Sequence, residues 1–204
     1  MTQKIIQQGA EAIIYLDKNI VIKDRIDKKY RLKAIDEKIR KSRTKVETKI
    51  LTKASKIINT PLPLESRDKF IINMPYIDGK KLSEHLDKLT KKQQKDTCIK
   101  IGESLAKIHD EDIIHGDLTT SYMILDKENK VWFIDFGLGF ISRRFEDKAV
   151  DLHLIKQALE AKHFENWETH YKNILKGYKK SENYSETLER LKKVEARGRY
   201  KQAG

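Results

Sequence analysis

Two aspartates eighteen positions apart, Asp117 and Asp135, are the residues of this 204-residue chain best suited to chemistry. Asp117 lies in His115-Gly116-Asp117-Leu118, and Asp135 in Ile134-Asp135-Phe136-Gly137. Between them, Met123 to Asp126, a polar turn at Lys127 to Lys130, and Val131 to Ile134 read as a β-hairpin with one acid at each end. Such a hairpin brings both carboxylates to one mouth. There, one can accept the proton of an attacking hydroxyl while the other holds a divalent metal on a nucleotide. Phosphoryl transfer asks for that division of labour, because it depends on alignment and charge neutralisation more than on covalent chemistry. Either acid alone would read as a solvated surface group.

A cation for the phosphates is available at Lys23, which ends the apolar run Ile20-Val21-Ile22. A long ammonium side chain needs an acidic partner to fix it, and Glu47 on the following helix is the best candidate. Glu47 reads equally as one half of a surface helix ion pair, since such pairs are common and weak. Gln8-Gly9-Ala10-Glu11-Ala12 falls between two strands, where Gly9 would let the backbone approach a phosphate; alone, it is an ordinary turn. Asp151 sits in an apolar helix and must be paired or hydrogen-bonded there. Its other reading is a helix N-terminal acid beside Glu146 and Asp147. The basic end of the chain, with Arg197, Arg199 and Lys201 around Tyr200, reads either as an RNA contact or as a solvated terminus.

The elements that must position these groups follow from periodicity. Ile5 to Gln8, Ala12 to Leu16 and Ile20 to Lys23 read as short strands, with a turn at Asp17-Lys18-Asn19. Ile35, Ile39, Val46, Ile50, Ala54 and Ile57 mark a long helix or a broken pair, and Thr60-Pro61-Leu62-Pro63 ends it. Phe70 to Met74 is a strand that leads into a turn at Tyr76 to Gly79. Thr90 with Gln93 forms a capping box for a helix whose apolar stripe is Cys98, Ile101, Leu105 and Ile108. The run Ala149 to Leu159 predicts a buried helix. Phe164, Trp167, Tyr171, Ile174, Leu175 and Tyr178 predict an amphipathic one, and Leu188, Leu191 and Val194 a last one. The fold class is α+β: a small mixed lobe over about 1–76, a helical lobe over about 77–196, a basic tail at 197–204, and a ligand cleft between the lobes.

Composition narrows the class. Forty-three Lys and Arg against 31 Asp and Glu give a net charge of +12, which favours polyanionic partners; many lysines on solvated helix faces would give the same sum. Cys98 is the only cysteine, which excludes an intrachain disulfide. No segment has the apolar length to span a bilayer, and the first residues lack a signal peptide's apolar region, so the expected setting is cytoplasmic, with no membrane contact.

Taken together, Gly9-Ala10-Glu11-Ala12, Arg43-Thr44 with Glu47, His115 to Ser121, Ile134 to Leu138, Glu146 to Leu152 and Arg197-Gly198-Arg199 resemble the small atypical serine/threonine kinase subunit of the KEOPS (EKC) complex, related to the RIO kinases. The resemblance spans nearly the whole chain, and Asp117-Leu118-Thr119-Thr120-Ser121 is its most specific part. It implies a reduced two-lobe protein-kinase-like fold and an ATP- and Mg2+-dependent kinase or ATPase. Such a subunit supports threonylcarbamoyladenosine modification of tRNA. Its implied partners are the threonylcarbamoyl-transferase subunit (in some archaea fused to the kinase), a second small subunit on the N-terminal lobe, and tRNA. The resemblance makes Asp117 catalytic and Asp135 a metal ligand. Gln8, Gly9, Ala10, Glu11, Lys23, Glu47, Met74 and Tyr76 become nucleotide contacts. His115 and Asp151 become structural support for the catalytic loop.

Two departures carry consequences. Tyr122 stands at the position where the family has a metal-binding asparagine, and a neutral phenol is a poor magnesium ligand. Slow turnover, or the use of a single metal ion, is expected. Only residues 138–150 separate Gly137 from Asp151, with no Ala-Pro-Glu motif, so there is no room for a full activation segment and activity on free peptides should be poor. A catalytically weak scaffold for transferase and tRNA is the alternative function. A small-molecule phosphotransferase of the aminoglycoside or choline type is a further one, disfavoured by the short helical part.

Overall fold

The computed structural model describes residues 4–200, with side chains through residue 197. The first three strands are β1 (Lys4–Gln8), β2 (Ile13–Asp17) and β3 (Ile20–Asp24). Helix α1 (Lys33–Ala54) follows, then β4 (Ile71–Pro75). These strands form one antiparallel sheet in the order β1-β2-β3-β4. The β2–β3 turn is tight, and Lys18 adopts φ 54° within it.

Beyond β4 the chain turns largely helical. A short strand β5 (Gly79–Lys81), helix α2 (Leu82–His85) and a 3-10 turn at Leu86–Lys88 lead to α3 (Lys91–Asp110). Thr90 caps α3: its hydroxyl accepts the Gln93 N–H while the Gln93 side chain accepts the Thr90 N–H. Strand β6 (Ile113–Ile114) precedes a 3-10 turn at Thr120–Tyr122, and the hairpin of β7 (Met123–Asp126) and β8 (Val131–Phe133) comes next. Met123 pairs with Phe133 and Leu125 with Val131, and β5 adds to the β7 edge. Strand β9 (Phe140–Ile141) pairs with β6, and helices α4 (Phe145–Lys162), α5 (Trp167–Tyr178) and α6 (Tyr184–Tyr200) complete the lobe.

One apolar cluster runs from Ile50, Leu51 and Ala54 on α1 through Ile72 and Met74 on β4 into the helical lobe. There Cys98, Ile101, Leu105, Ile108, Phe133, Leu152, Ile155 and Tyr178 have no exposed surface. Each such aliphatic or aromatic side chain contributes roughly 1.5–3 kcal/mol by leaving water. Strand β1, by contrast, is exposed along its whole length.

The structure corrects three expectations. Helix α1 is a single helix, but its buried face is not the expected apolar stripe. Ile35 and Val46 are exposed, while Asp36, Thr44 and Glu47 are buried beside Ile50 and Leu51. Along α1, Asp36 meets Arg31 and the Lys28 N–H in the loop after β3, and Glu47 meets Lys23 of β3, so polar residues fill the contact. Phe164 lies outside α5 and is 72% exposed. The α4 run is not buried on all sides, since Val150 is exposed. Among the described residues, no helix is long and apolar enough to cross a membrane.

Candidate active site

Strand β3 alternates its side chains with period two, and Arg25, one residue past its end, keeps the alternation, so Val21, Lys23 and Arg25 all line the same cleft. Lys23 Nζ donates to Glu47 Oε1 at 2.7 Å and to Asp135 Oδ1 at 2.7 Å. Arg25 Nη2 donates to the other Glu47 oxygen at 2.5 Å. One carboxylate therefore serves two buried cations, and the surface-pair reading of Glu47 is excluded: its side chain is 1% exposed. Truncating one member of such a buried group leaves the others uncompensated, a loss of about 3–5 kcal/mol.

Asp135 sits just past the end of β8 with φ 61°, a left-handed conformation that a non-glycine residue adopts at some energetic cost. Its Oδ1 also accepts the Gly137 N–H at 3.1 Å. Burial works to raise the Asp135 pKa, but the Lys23 ammonium and the Gly137 N–H hold it below the ordinary value. Asp117 is pushed the other way: burial raises it, and the nearby Asp135 and Asp151 charges add to that. Separating two carboxylates in this manner gives one fixed anion and one group able to take a proton.

His115 joins the two aspartate motifs. Its ring is buried and packs on Phe136 at 4.5 Å between centroids, and Nε2 lies 3.2 Å from the Ile134 carbonyl. Burial holds its pKa down. A neutral ring with its proton on Nε2 donates to Ile134 and leaves Nδ1 to accept the Asp117 N–H at 3.4 Å. Beneath it, Asp151 on α4 has no exposed surface. It accepts the His115 N–H at 2.6 Å and the Gly116 N–H at 2.9 Å, while His109 Nε2 lies 3.3 Å away. This geometry excludes the solvated helix-terminus reading of Asp151. Gly116 has φ 80°, and a Cβ there would come within 2.3 Å of the Leu138 carbonyl oxygen. Only glycine fits this position.

A cleft of about 590 Å³ gathers Lys23, Glu47, Asp117, Tyr122 and Asp135 at one end. Its walls are Ile14, Val21 and Met74 from the sheet, with Ile124 and Ile134 from the hairpin. Tyr76, Gly9, Ala10 and Glu11 also line it. An apolar slot that ends in two acids and a lysine matches a flat base followed by a polyphosphate. Gln8 is not in the lining, whereas Gln7 is. A bulge between Ile5 and Gln7 turns Ile6 and Gln7 together toward the cleft and shifts Gln8 away. Gly9 needs no special freedom: its φ is not left-handed, and a Cβ would meet only the Ala12 carbonyl oxygen at an ordinary 3.6 Å. The turn closes through Gly9 N–H to Ala12 O at 3.0 Å, and Arg43 donates to Glu11 at 2.6 Å.

For magnesium, Asp135 offers a hard oxygen. Its Oδ2 makes no hydrogen bond among the described residues, and its side chain is 32% exposed toward the cleft. The donor set fits one ion at that carboxylate. Tyr122 fits poorly as a further ligand. Burial, followed by the Asp135 and Asp117 charges, raises its pKa, so the phenol keeps its proton, and its ring lies nearly parallel to His115 at 6.4 Å. Arg197 is ion-paired with Glu146 at 2.6 Å. Lys201 and the side chain of Arg199 lie outside the described residues. Sequence reasoning missed Arg25; its signal was the two-residue spacing from Lys23 on a strand.

A mixed antiparallel lobe and a helical lobe around this slot define a protein kinase. The protein kinase domain model matches residues 2–158. Over 98% of its length the chain is 41% identical to KEOPS complex subunit Bud32 of Pyrococcus abyssi, covering 97% of that protein. It is 36% identical to the probable serine/threonine-protein kinase BUD32 homolog of Archaeoglobus fulgidus, over 94% of each. The probable bifunctional tRNA threonylcarbamoyladenosine biosynthesis protein of Methanobrevibacter smithii is 43% identical over 98% of the chain, which covers 37% of that longer protein. The chain belongs to the protein kinase family and, within it, to the Bud32 kinases of the KEOPS complex.

Proposed function

We propose that the chain is the ATP-dependent kinase or ATPase subunit of a KEOPS complex, supporting threonylcarbamoyladenosine modification of tRNA. The observation that carries this reading is the pair of hydrogen bonds from Lys23, at 2.7 Å to Glu47 and 2.7 Å to Asp135, at the end of the cleft that also holds Asp117. In this reading the sheet and α1 form an N-terminal lobe to about residue 76. The apolar walls take the base of ATP, with Met74 and Tyr76 at its edge. Lys23 neutralises phosphate, held in place by Glu47, and Arg25 fixes Glu47 from the other side. Asp117 orients the acceptor hydroxyl or water and takes its proton. Asp135 holds Mg2+, which supplies charge neutralisation on the transferred phosphoryl group. His115 and Asp151 hold the loop of Asp117.

The names of the relatives, a KEOPS complex subunit and longer bifunctional tRNA threonylcarbamoyladenosine biosynthesis proteins, support an assembly in which the proposed partners are a threonylcarbamoyl-transferase subunit, a second small KEOPS subunit and tRNA. Only seven residues, 138–144, separate Gly137 from the start of α4, and Phe140–Ile141 within them pairs with β6. So short a segment gives a free peptide little to dock on, which favours hydrolysis, or transfer to the chain itself or to a bound partner. A catalytically weak scaffold is the second reading, and the protonated Tyr122 phenol favours it.

Comparing ATP turnover by the wild type and Asp117→Ala, with and without transferase and tRNA, separates the two. Loss of about 10²-fold or more with assembly retained supports the enzyme, on the scale of general-base contributions. Equal rates support the scaffold.

A further inference from the structure

Away from the nucleotide cleft, three side chains from three elements converge in the helical lobe: Asp87 in the 3-10 turn after α2, His163 at the C-terminal cap of α4, and His170 on α5. His163 Nδ1 contacts Asp87 Oδ2, and His170 Nε2 lies 3.0 Å from Asp87 Oδ1. All three ligand atoms fall within 4.8 Å of one another. Both imidazoles are 1% exposed at the side chain, while the carboxylate is 36% exposed, so the cluster is open to solvent on the carboxylate side.

We propose that Asp87, His163 and His170 form a site for a zinc-class divalent transition metal. Two imidazole nitrogens and one carboxylate oxygen are a three-ligand set that leaves a fourth position for water on the open side. Imidazole selects this metal class over magnesium and calcium, which take oxygen. Tetrahedral bonds of about 2.0–2.1 Å place neighbouring ligand atoms roughly 3.3 Å apart, close to the spacing found between His170 and Asp87. Outer partners orient two of the three ligands. His163 Nε2 lies 3.1 Å from Thr120 Oγ1, and Asn166 Nδ2 donates to Asp87 Oδ1 at 3.0 Å. Such contacts fix ring orientation and tautomer. The third ligand lacks one: His170 Nδ1 has no partner among the described residues.

The site joins α4, α5 and the turn before α3. Through Thr120 it also reaches the 3-10 turn three residues after Asp117. A bound ion would therefore brace the helical lobe and the loop that carries Asp117. Asp87 is not identifiable from sequence spacing, because 76 residues separate it from His163 and 83 from His170.

The test uses the full chain without an affinity tag, stripped with chelator and free of nucleotide. Cobalt(II) titration should give visible d–d absorption saturating at one ion per chain, Zn2+ should displace it, and Zn2+ should raise the thermal midpoint. Asp87→Asn and His170→Gln, checked for folding by circular dichroism, should each weaken Zn2+ binding about tenfold or more. If a variant fails to fold, the cobalt spectrum of the unmodified chain decides. No visible band and no Zn2+-dependent midpoint shift in the wild type would overturn the proposal, as would folded variants that bind Zn2+ as tightly as the wild type.

Discussion

Glu47 is the pivot of the site, because one carboxylate meets Lys23 with one oxygen and Arg25 with the other. Asp135 shares Lys23 with it, and among the described residues its other oxygen makes no hydrogen bond and Asp117 makes no salt bridge. The two aspartates consequently titrate on opposite sides of the ordinary value of 3.8. A carboxyl-carbon NMR titration should place Asp117 above 3.8 and Asp135 below it; the reverse order would contradict the assigned roles. The linkage follows in sign. Asp135, depressed in the folded state, contributes stability that is present above its unfolded value and lost as pH falls through its folded one. Tyr122 is the second residue with a sharp consequence. Replacing the protonated phenol by an amide in Tyr122→Asn supplies a hard oxygen beside Asp135. ATP turnover should rise roughly tenfold, about 1.4 kcal/mol of barrier. An unchanged rate would show that the phenol does not limit the chemistry.

At the scale of elements, the helical lobe depends on how tightly its helices pack. Helices α3 and α5 cross at two glycines. A Cβ on Gly102 would come within 1.9 Å of the Ile174 carbonyl oxygen, and one on Gly177 within 2.1 Å of the Ile99 carbonyl oxygen. Neither backbone oxygen can rotate away as a side chain would. Gly177→Ala should therefore cost about 3 kcal/mol, the upper end for overpacking, and lower the thermal midpoint by roughly 6–12 °C. A midpoint within 2 °C of the wild type, on the order of 1 kcal/mol or less, would refute the tight crossing. Much of this architecture was legible in the sequence. The hairpin between the two aspartates, the Thr90 cap and the Cys98 stripe all announce themselves through local chemistry and period. The buried face of α1 was legible only at Glu47, the acid that Lys23 calls for; the burial of Asp36 and Thr44 follows no helical apolar period. The exchange of Gln8 for Gln7 in the cleft was equally hidden, since a bulge adds a residue to one strand without a mark in the sequence. The two interior glycines did carry a signal. Each costs a helix about 0.5–1 kcal/mol relative to alanine, which close packing can offset.

At the scale of the whole molecule, a thin sheet lobe and a helical lobe share one continuous apolar cluster, and the charged end of the cleft lies where they meet. Lys23 comes from one lobe and Asp135 from the other, so their 2.7 Å contact is an ion pair across the cleft. In the proposed reading, nucleotide binding uses both halves at once. The net charge of +12 suits a molecule that works on polyanions, both ATP and the tRNA of its proposed assembly. Calorimetric titration of ATP, with and without Mg2+, into the wild type, Lys23→Ala and Asp135→Asn tests the joint site most directly. Magnesium should tighten ATP binding to the wild type about tenfold or more, roughly 1.4 kcal/mol, and Asp135→Asn should abolish that gain. Lys23→Ala should weaken binding with or without the ion. Equal affinities for ATP in all three proteins, with no dependence on magnesium, would contradict a nucleotide site built from both lobes.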